Sequence, residues 1–279
     1  MSAIKFIIIE PVEELKEYVE YFRIAQYVGE EGLTIKVCPN GFPGIVFQHS
    51  NGQPAISSIV TSSGRLLNMP PTLFLYGQVT ELSVMTYKSE PYTTVQAVLK
   101  PNALKTLLGL DASTLTNGSK GYQEFDAVDL NIQLIKAQSN EEYINLFTNF
   151  LLDRLKLFNP RDIIVEKSLS YIHSNIRDIT VKDLLRQLYI SERQFEKRFV
   201  KAVGVSPQFY IRVKRFNEAI KLIDSGKYDK LSDVAQVLNY FDQSHFIRDI
   251  KVFSGITPKS ISQKIVDFHH DQIGSSYLV

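Results

Sequence analysis

The sequence predicts a multidomain α+β chain: a mostly β domain of barrel or sandwich type with flanking helices over residues 1–157, and an all-α domain over residues 161–265. Three observations carry this. Before residue 100, short runs rich in β-branched and aromatic residues recur between turn clusters such as Pro39-Asn40-Gly41, Ser50-Asn51-Gly52 and Ser62-Ser63-Gly64. Beyond residue 160 the pattern changes to helical periodicity with tight turns. Charge divides at the same place. Residues 160–265 hold 19 lysines and arginines against 12 acidic residues, a net +7, so that with +1 overall the remainder carries −6. Such segregation is expected of a domain that meets a polyanion.

In chain order, strands are expected at 4–9, 33–37, 45–48, 56–60, 73–76, 82–87 and 93–99. Between the first two, Val12, Leu15, Val19 and Phe22 fall at helical spacing behind Pro11, which predicts a helix over 11–22 packed on the sheet. A helix begins at Pro101, and a longer one over 140–157 carries the stripe Tyr143, Leu146, Phe147, Phe150, Leu151, Leu155. Phe158-Asn159-Pro160 ends it, because the residue before proline is pushed out of the α region. The domain boundary is expected there. The stretch from Val266 to Val279 shows no sustained pattern and is expected to fray.

The helical domain contains a repeated unit. Val181, Leu184, Leu185 and Leu188 share one helical face, and Thr180 with Asp183 suits its cap. Tyr189-Ile190 break the pattern, and Ser191-x-x-Gln194 has the form of a capping box opening a second helix. Phe195, Phe199 and Val203 turn inward there, leaving Arg193, Glu196, Lys197, Arg198 and Lys201 outside. About 50 residues on, Leu231, Val234, Ala235 and Leu238 make a short helix, Asn239-Tyr240-Phe241 a turn, and Asp242 caps a helix with Phe246, Ile250 and Phe253 inward. Gln243, Ser244, His245, Arg248 and Lys251 face out. Between the units, residues 207–224 read as one helix, roughly 27 Å long at 1.5 Å per residue. Short helix, tight turn and basic outward-facing helix, twice over, is the form of two helix-turn-helix units.

The segments Ser191-x-x-Gln-Phe195-x-x-x-Phe199, Gly204-Val-Ser-Pro207, Arg215-Phe-Asn-Glu-Ala219, Val234-Ala235, Phe241-Asp-Gln-Ser-His-Phe246 and Gly255-Ile-Thr-Pro258 stand in the order and spacing of the AraC/XylS DNA-binding domain, which residues 160–262 resemble. The resemblance implies a sequence-specific, DNA-binding transcription regulator that reads two adjacent major grooves. Base reading would fall on Arg193, Glu196 and Lys197 in the first unit and on Gln243, Ser244, His245 and Arg248 in the second. Ser191, Lys201, Lys214 and Lys251 would contact phosphates, setting register without reading sequence. Leu185, Asn239 and Ile261 depart from the family pattern, which favours a small residue, glycine and an aromatic there. Asparagine tolerates the left-handed backbone a glycine would supply, so the second turn should survive.

In that family the N-terminal domain is often a cupin-like sensory or dimerising barrel. Gly77-Gln78 followed by Val98-Leu99-Lys100-Pro101 resembles an uncharacterised N-terminal module of related regulators. Cys38, Arg65, Tyr76, Gln78 and Tyr87 are pocket-lining candidates, each as readily read as structural or surface residues. The implied partners are double-stranded DNA, with RNA polymerase, a small-molecule effector and a second copy of the chain as further candidates. A ligand would alter the pose of the DNA-binding domain about a hinge near Pro160. The alternatives are an N-terminal domain that only dimerises, and a small-molecule enzyme fused to a DNA-binding domain.

Composition bounds these. An apolar share of 44% with 22% charged is globular and argues against wholesale disorder. One cysteine cannot form an internal disulfide, and beside five histidines it makes no spaced metal cluster, so neither metal nor cofactor is expected. His49 alone precedes residue 170 among the histidines, which disfavours a metal-dependent cupin enzyme. No Ser/His/Asp or phosphate-loop spacing points to catalysis, so an enzyme is not expected. No apolar run approaches the ~18 residues of a membrane span and the N-terminus lacks an export pattern, so the cytoplasm is the expected compartment.

Overall fold

The computed structural model describes residues 4–158, 160–228, 230–263, 268–269 and 276–278. Asn159 at the expected boundary, residues 264–265 at the expected end of the helical domain, and most of the stretch expected to fray lie outside the described residues.

The N-terminal region is built of two antiparallel sheets. The first has the order β1 (Ile4–Ile9), β2 (Val19–Tyr27), β8 (Tyr92–Leu99), β4 (Gly44–His49), β6 (Leu73–Tyr76), β9 (Ser119–Gly121). The second runs β10 (Phe268–His269), β11 (Ser276–Leu278), β3 (Thr34–Val37), β7 (Ser83–Tyr87), β5 (Ile56–Thr61). Both are open among the described residues, so the expected barrel does not close.

Strand alternation divides the first sheet's two faces. Phe22, Ile24, Ile45, Phe47, Leu73, Leu75, Val95, Ala97 and Leu99 point to one side. There they are covered by α1 (Ala103–Leu108), α2 (Val128–Lys136) and α3 (Asn140–Leu157), through Leu104, Leu107, Leu130, Phe147 and Leu151. The intervening residues of the same strands, including Tyr21, Val46, Phe74, Tyr76 and Gln96, face the second sheet across a cavity.

The helix expected over 11–22 does not form. A single 3-10 turn at Glu13–Leu15 precedes β2, whose pairing with β8 from Val19 to Tyr27 and with β1 from Phe22 to Tyr27 overrides the helical spacing. Leu15 is still buried, whereas Val12 is exposed.

The C-terminal region is helical: α4 (Ile163–Ser174), α5 (Val181–Leu188), α6 (Glu192–Val203), α7 (Pro207–Ser225), α8 (Leu231–Val237), α9 (Gln243–Ser254) and α10 (Pro258–Gln263). At 19 residues α7 is roughly 28 Å long. Its first turns, with Tyr210 and Ile211, complete the core of Leu184, Phe195 and Phe199. Phe216, Ile220 and Ile223 complete a second core with Val234, Phe246, Ile250 and Phe253. One rod therefore serves both units.

The second core also takes in Cys38 and Leu82 from the β region, and Tyr277. Here the expectation of a frayed end fails at Ser276–Leu278, which pair antiparallel with β3. Tyr277 is buried, and its hydroxyl donates to the Ser254 carbonyl at 2.7 Å. Tyr277→Phe, which keeps the ring but removes that donor, should lower unfolding stability by about 1 kcal/mol in urea titrations, with the denaturant slope unchanged.

Candidate nucleic-acid interface

Local chemistry builds each helix-turn-helix unit. In the first, Thr180 and Asp183 cap α5 reciprocally: the Asp183 amide donates to Thr180 Oγ1 at 3.2 Å and the Thr180 amide to Asp183 Oδ2 at 3.1 Å. The turn is made by Tyr189 in the left-handed conformation, φ +51°. For an L-residue with a Cβ that conformation costs about 1–2 kcal/mol.

Ser191 stands at the N-cap of α6 in extended geometry, but its hydroxyl accepts no cap bond. The expected capping box with Gln194 is therefore absent, and the first-turn amides of α6 lack that satisfaction. Arg193, Glu196, Lys197 and Lys201 are exposed on the side away from the buried Phe195 and Phe199. Arg198, exposed as expected, also forks onto Asp162 with its Nη2 2.9 Å from Oδ1. Burial alone would raise the Asp162 carboxyl; Arg198, the Val165 amide and Lys105 overcome it and hold the group below the usual carboxylate range.

In the second unit Asn239 takes the same left-handed turn, φ +51°, as its side-chain chemistry allows. Asp242 Oδ1 accepts from the His245 amide at 2.7 Å, the expected N-cap of α9. Gln243, Ser244, His245, Arg248 and Lys251 are all exposed. The His245 ring stands edge-on to Tyr240, and its Nε2 lies 3.9 Å from Asp249 Oδ2.

Both units hang on α7. Arg212 Nη2 donates to the buried Asp249 of α9 at 2.7 Å. Arg215 donates to the carbonyls of Ile176 and Ile179, at 3.0 and 2.8 Å, in the segment between α4 and α5.

The C-terminal ends of α6 and α9 rest on the β region. Both end at glycines with left-handed backbone, Gly204 (φ +99°) and Gly255 (φ +75°). Thr116 Oγ1 donates to the Gly204 carbonyl at 2.6 Å. Gly255 lies so close to Leu82 that an added Cβ would come within 2.7 Å of its Cδ2.

One expected phosphate contact is corrected. Lys214 lies with its ammonium 4.1 Å from the centre of the Phe42 ring, in the seam between the two regions, and burial holds its pKa down at about 8. The β region covers the face of α7 that periodicity alone left open.

Two residues that sequence reasoning placed only in turns stand out. Tyr189 and Phe241, at 95% and 93% exposure, are the most exposed large hydrophobic residues among those described; the next, Val28, is at 76%.

The cavity between the sheets measures about 460 Å³. Cys38, Arg65, Tyr76 and Tyr87 line it, four of the five pocket candidates. Gln78 does not: it is buried elsewhere and donates to the Gly41 carbonyl at 3.1 Å. His49 bonds Tyr143, and burial lowers its pKa. Among the described residues no group of three or more His, Cys, Asp or Glu is placed to hold a metal ion, and no helix is long and apolar enough to cross a membrane.

Comparison with known proteins divides along the same lines. A family described as a helix-turn-helix domain matches residues 184–264, and a domain of unknown function, DUF6597, matches residues 8–119. The chain is 24% identical over 156 residues to the uncharacterized HTH-type transcriptional regulator YidL of Escherichia coli (strain K12), covering 53% of this chain and 52% of that protein. It is 24% identical over 112 residues to the regulatory protein PocR of Salmonella typhimurium, covering 40% of this chain and 37% of that one. It thus spans about half or less of the curated relatives it matches. A structure of unsaturated fatty acid-bound ToxT from Vibrio cholerae overlays 86% of this chain and 94% of its own, with a TM-score of 0.49 at 14% identity.

Relief of the left-handed strain at the first turn gives a direct check. Tyr189→Gly should raise unfolding stability by about 1 kcal/mol, seen as a higher urea midpoint.

Proposed function

We propose that this chain, whose C-terminal domain is a helix-turn-helix domain of AraC/XylS type, is a transcription regulator that reads two adjacent major grooves of DNA and answers to a small-molecule effector held in its β region. The observation that carries the DNA half is the exposed start of α6 and of α9, each behind a tight turn and both fixed to the single rod α7. A rod roughly 28 Å long suits two reading helices about one DNA turn, ~34 Å, apart.

Arg193, Lys197 and Arg248 suit guanine O6 and N7, Gln243 suits adenine, and Glu196 accepts from cytosine N4. Ser244 and His245 complete the second reading surface. Ser191, Lys201 and Lys251 suit contacts to phosphates in this reading. The domains in this reading are 1–157, the sensor, and 161–265, the DNA reader, working in the cytoplasm with RNA polymerase and a second copy as candidate partners. The cavity favours a sensing domain over one that only dimerises, since ligand sites are concave and of this order of size.

Selection of bound sites from random duplexes by the full chain should enrich two information-rich patches about one helical turn apart. On that site Arg248→Ala should weaken binding at one base position by about 1–3 kcal/mol, while Lys201→Ala weakens all sequences equally and flattens the salt dependence. Lys214→Gln should leave the salt slope unchanged; a flatter slope would restore Lys214 to the phosphate contacts. For the sensor half, a compound that raises the melting temperature and shifts DNA affinity should do neither in Val46→Trp, which fills the cavity; an unaltered response would place the effector elsewhere.

A further inference from the structure

We infer that Tyr189 and Phe241 are DNA-contacting residues, Phe241 packing on a thymine methyl group in the groove met by the second unit and Tyr189 on the sugar–phosphate backbone at the groove met by the first. The inference rests on the DNA reading proposed above and adds an apolar contact to its polar ones.

Each residue lies in the turn just before its unit's second helix, though not at matching positions. Tyr189 lies two positions before Ser191, the N-cap of α6, and Phe241 lies immediately before Asp242, the N-cap of α9. Each therefore stands at the end of a reading helix that enters the groove. Their neighbours show that the exposure is selective. Next to Phe241, Tyr240 turns inward and packs on Phe246 at 5.3 Å between ring centres, while Phe241 stands at 93% exposure. Next to Tyr189, Ile190 packs against the first unit's core, while Tyr189 stands at 95%.

A single exposed apolar residue is ordinary on a protein surface, so the exposure of Tyr189 and Phe241 gains meaning only from where they stand, beside the polar starts of α6 and α9. The partner follows from what surrounds them. Exposed Gln243, Ser244 and Arg248 follow Phe241 in the chain, and exposed Ser191, Arg193 and Lys197 follow Tyr189 together with Glu192 and Glu196, a polar surface that can face a duplex. The apolar features a duplex presents there are the thymine C5-methyl group and the sugar faces. Tyr189 carries a second sign. The corresponding turn of the other unit uses Asn239 at the same φ of +51°, a residue that adopts it readily, whereas Tyr189 holds that backbone with a bulky ring. Strain kept at an exposed position, where a smaller residue would relieve it, points to a use for the side chain.

The test uses the full chain on its selected site. Tyr189→Asn, which copies the other unit's turn, and Phe241→Ala should each weaken binding about tenfold. The salt slope should not change, because neither residue releases a counterion. Thermal midpoints should be unchanged for Phe241→Ala and equal or higher for Tyr189→Asn, separating a lost contact from a lost fold. Replacing each thymine of the site by deoxyuridine should reveal one position where the unaltered protein loses affinity and Phe241→Ala loses no more.

Wild-type affinity in both variants, with Arg248→Ala still losing one base, would overturn the inference and leave the DNA reading standing. Unchanged DNA affinity with loss of transcription activation would overturn it in favour of a protein partner. The absence of any deoxyuridine position coupled to Phe241 would overturn the methyl contact. No binding by the folded wild-type chain would remove the DNA reading itself, and the inference with it.

Discussion

The second helix-turn-helix unit takes its position from a buried charge. Asp249 of α9 is almost wholly withdrawn from water, and Arg212 of α7 meets it. A buried carboxylate without its partner is costly, about 3–5 kcal/mol when one member of such a pair is removed, so α9 has little freedom to shift along α7. Arg215, one turn further along the same rod, holds the carbonyls that lead into the first unit. Separation and relative orientation of the two units are thus properties of one helix and two guanidinium groups. The apolar cores on either side of α7 fill in around that frame.

The β region holds the other ends. Gly204 closes α6 against Thr116, and Gly255 closes α9 against Leu82, while residues at the N-terminal ends of both helices are exposed. Leu82 immediately precedes β7, and Ser83, Met85 and Tyr87 of that strand line the cavity. One short strand therefore has a cavity wall along its length and the end of α9 at its start. A ligand that displaced β7 would press directly on the end of α9.

Much of this was legible in the sequence, for reasons that differ by element. The C-terminal units were legible because their apolar residues sit at helical spacing between residues with distinctive cap and turn chemistry, Thr180, Asp242 and Pro207 among them. Strand β2 was not, because both of its faces are covered, by the cavity's lining on one side and the helices on the other. Buried residues therefore occur on both faces, in pairs broken by Glu20, Arg23 and Gln26, so the strand shows no simple alternation, and Val12, Leu15, Val19 and Phe22 happen to fall at helical spacing. Lys214 misled for a different reason. A helical wheel shows which residues leave their own helix, not which of them a second domain then covers. The cavity was partly foreseen through Arg65, Tyr76 and Tyr87, while Gln78 proved to be a structural bond to the Gly41 carbonyl.

The strand at Ser276–Leu278 was illegible because three residues carry no pattern and its partner, β3, lies more than two hundred positions earlier. Its effect is topological. The helical domain leaves the β region at the segment around Pro160 and returns to it at β11, so it is an insertion between two parts of one sheet structure rather than a pendant at the end of a linker. A body hung from one string swings freely; one tied at both ends does not. A large displacement of the helical domain would have to break the Tyr277–Ser254 bond as well as the Thr116–Gly204 and Asn217–Asn40 bonds that span the seam.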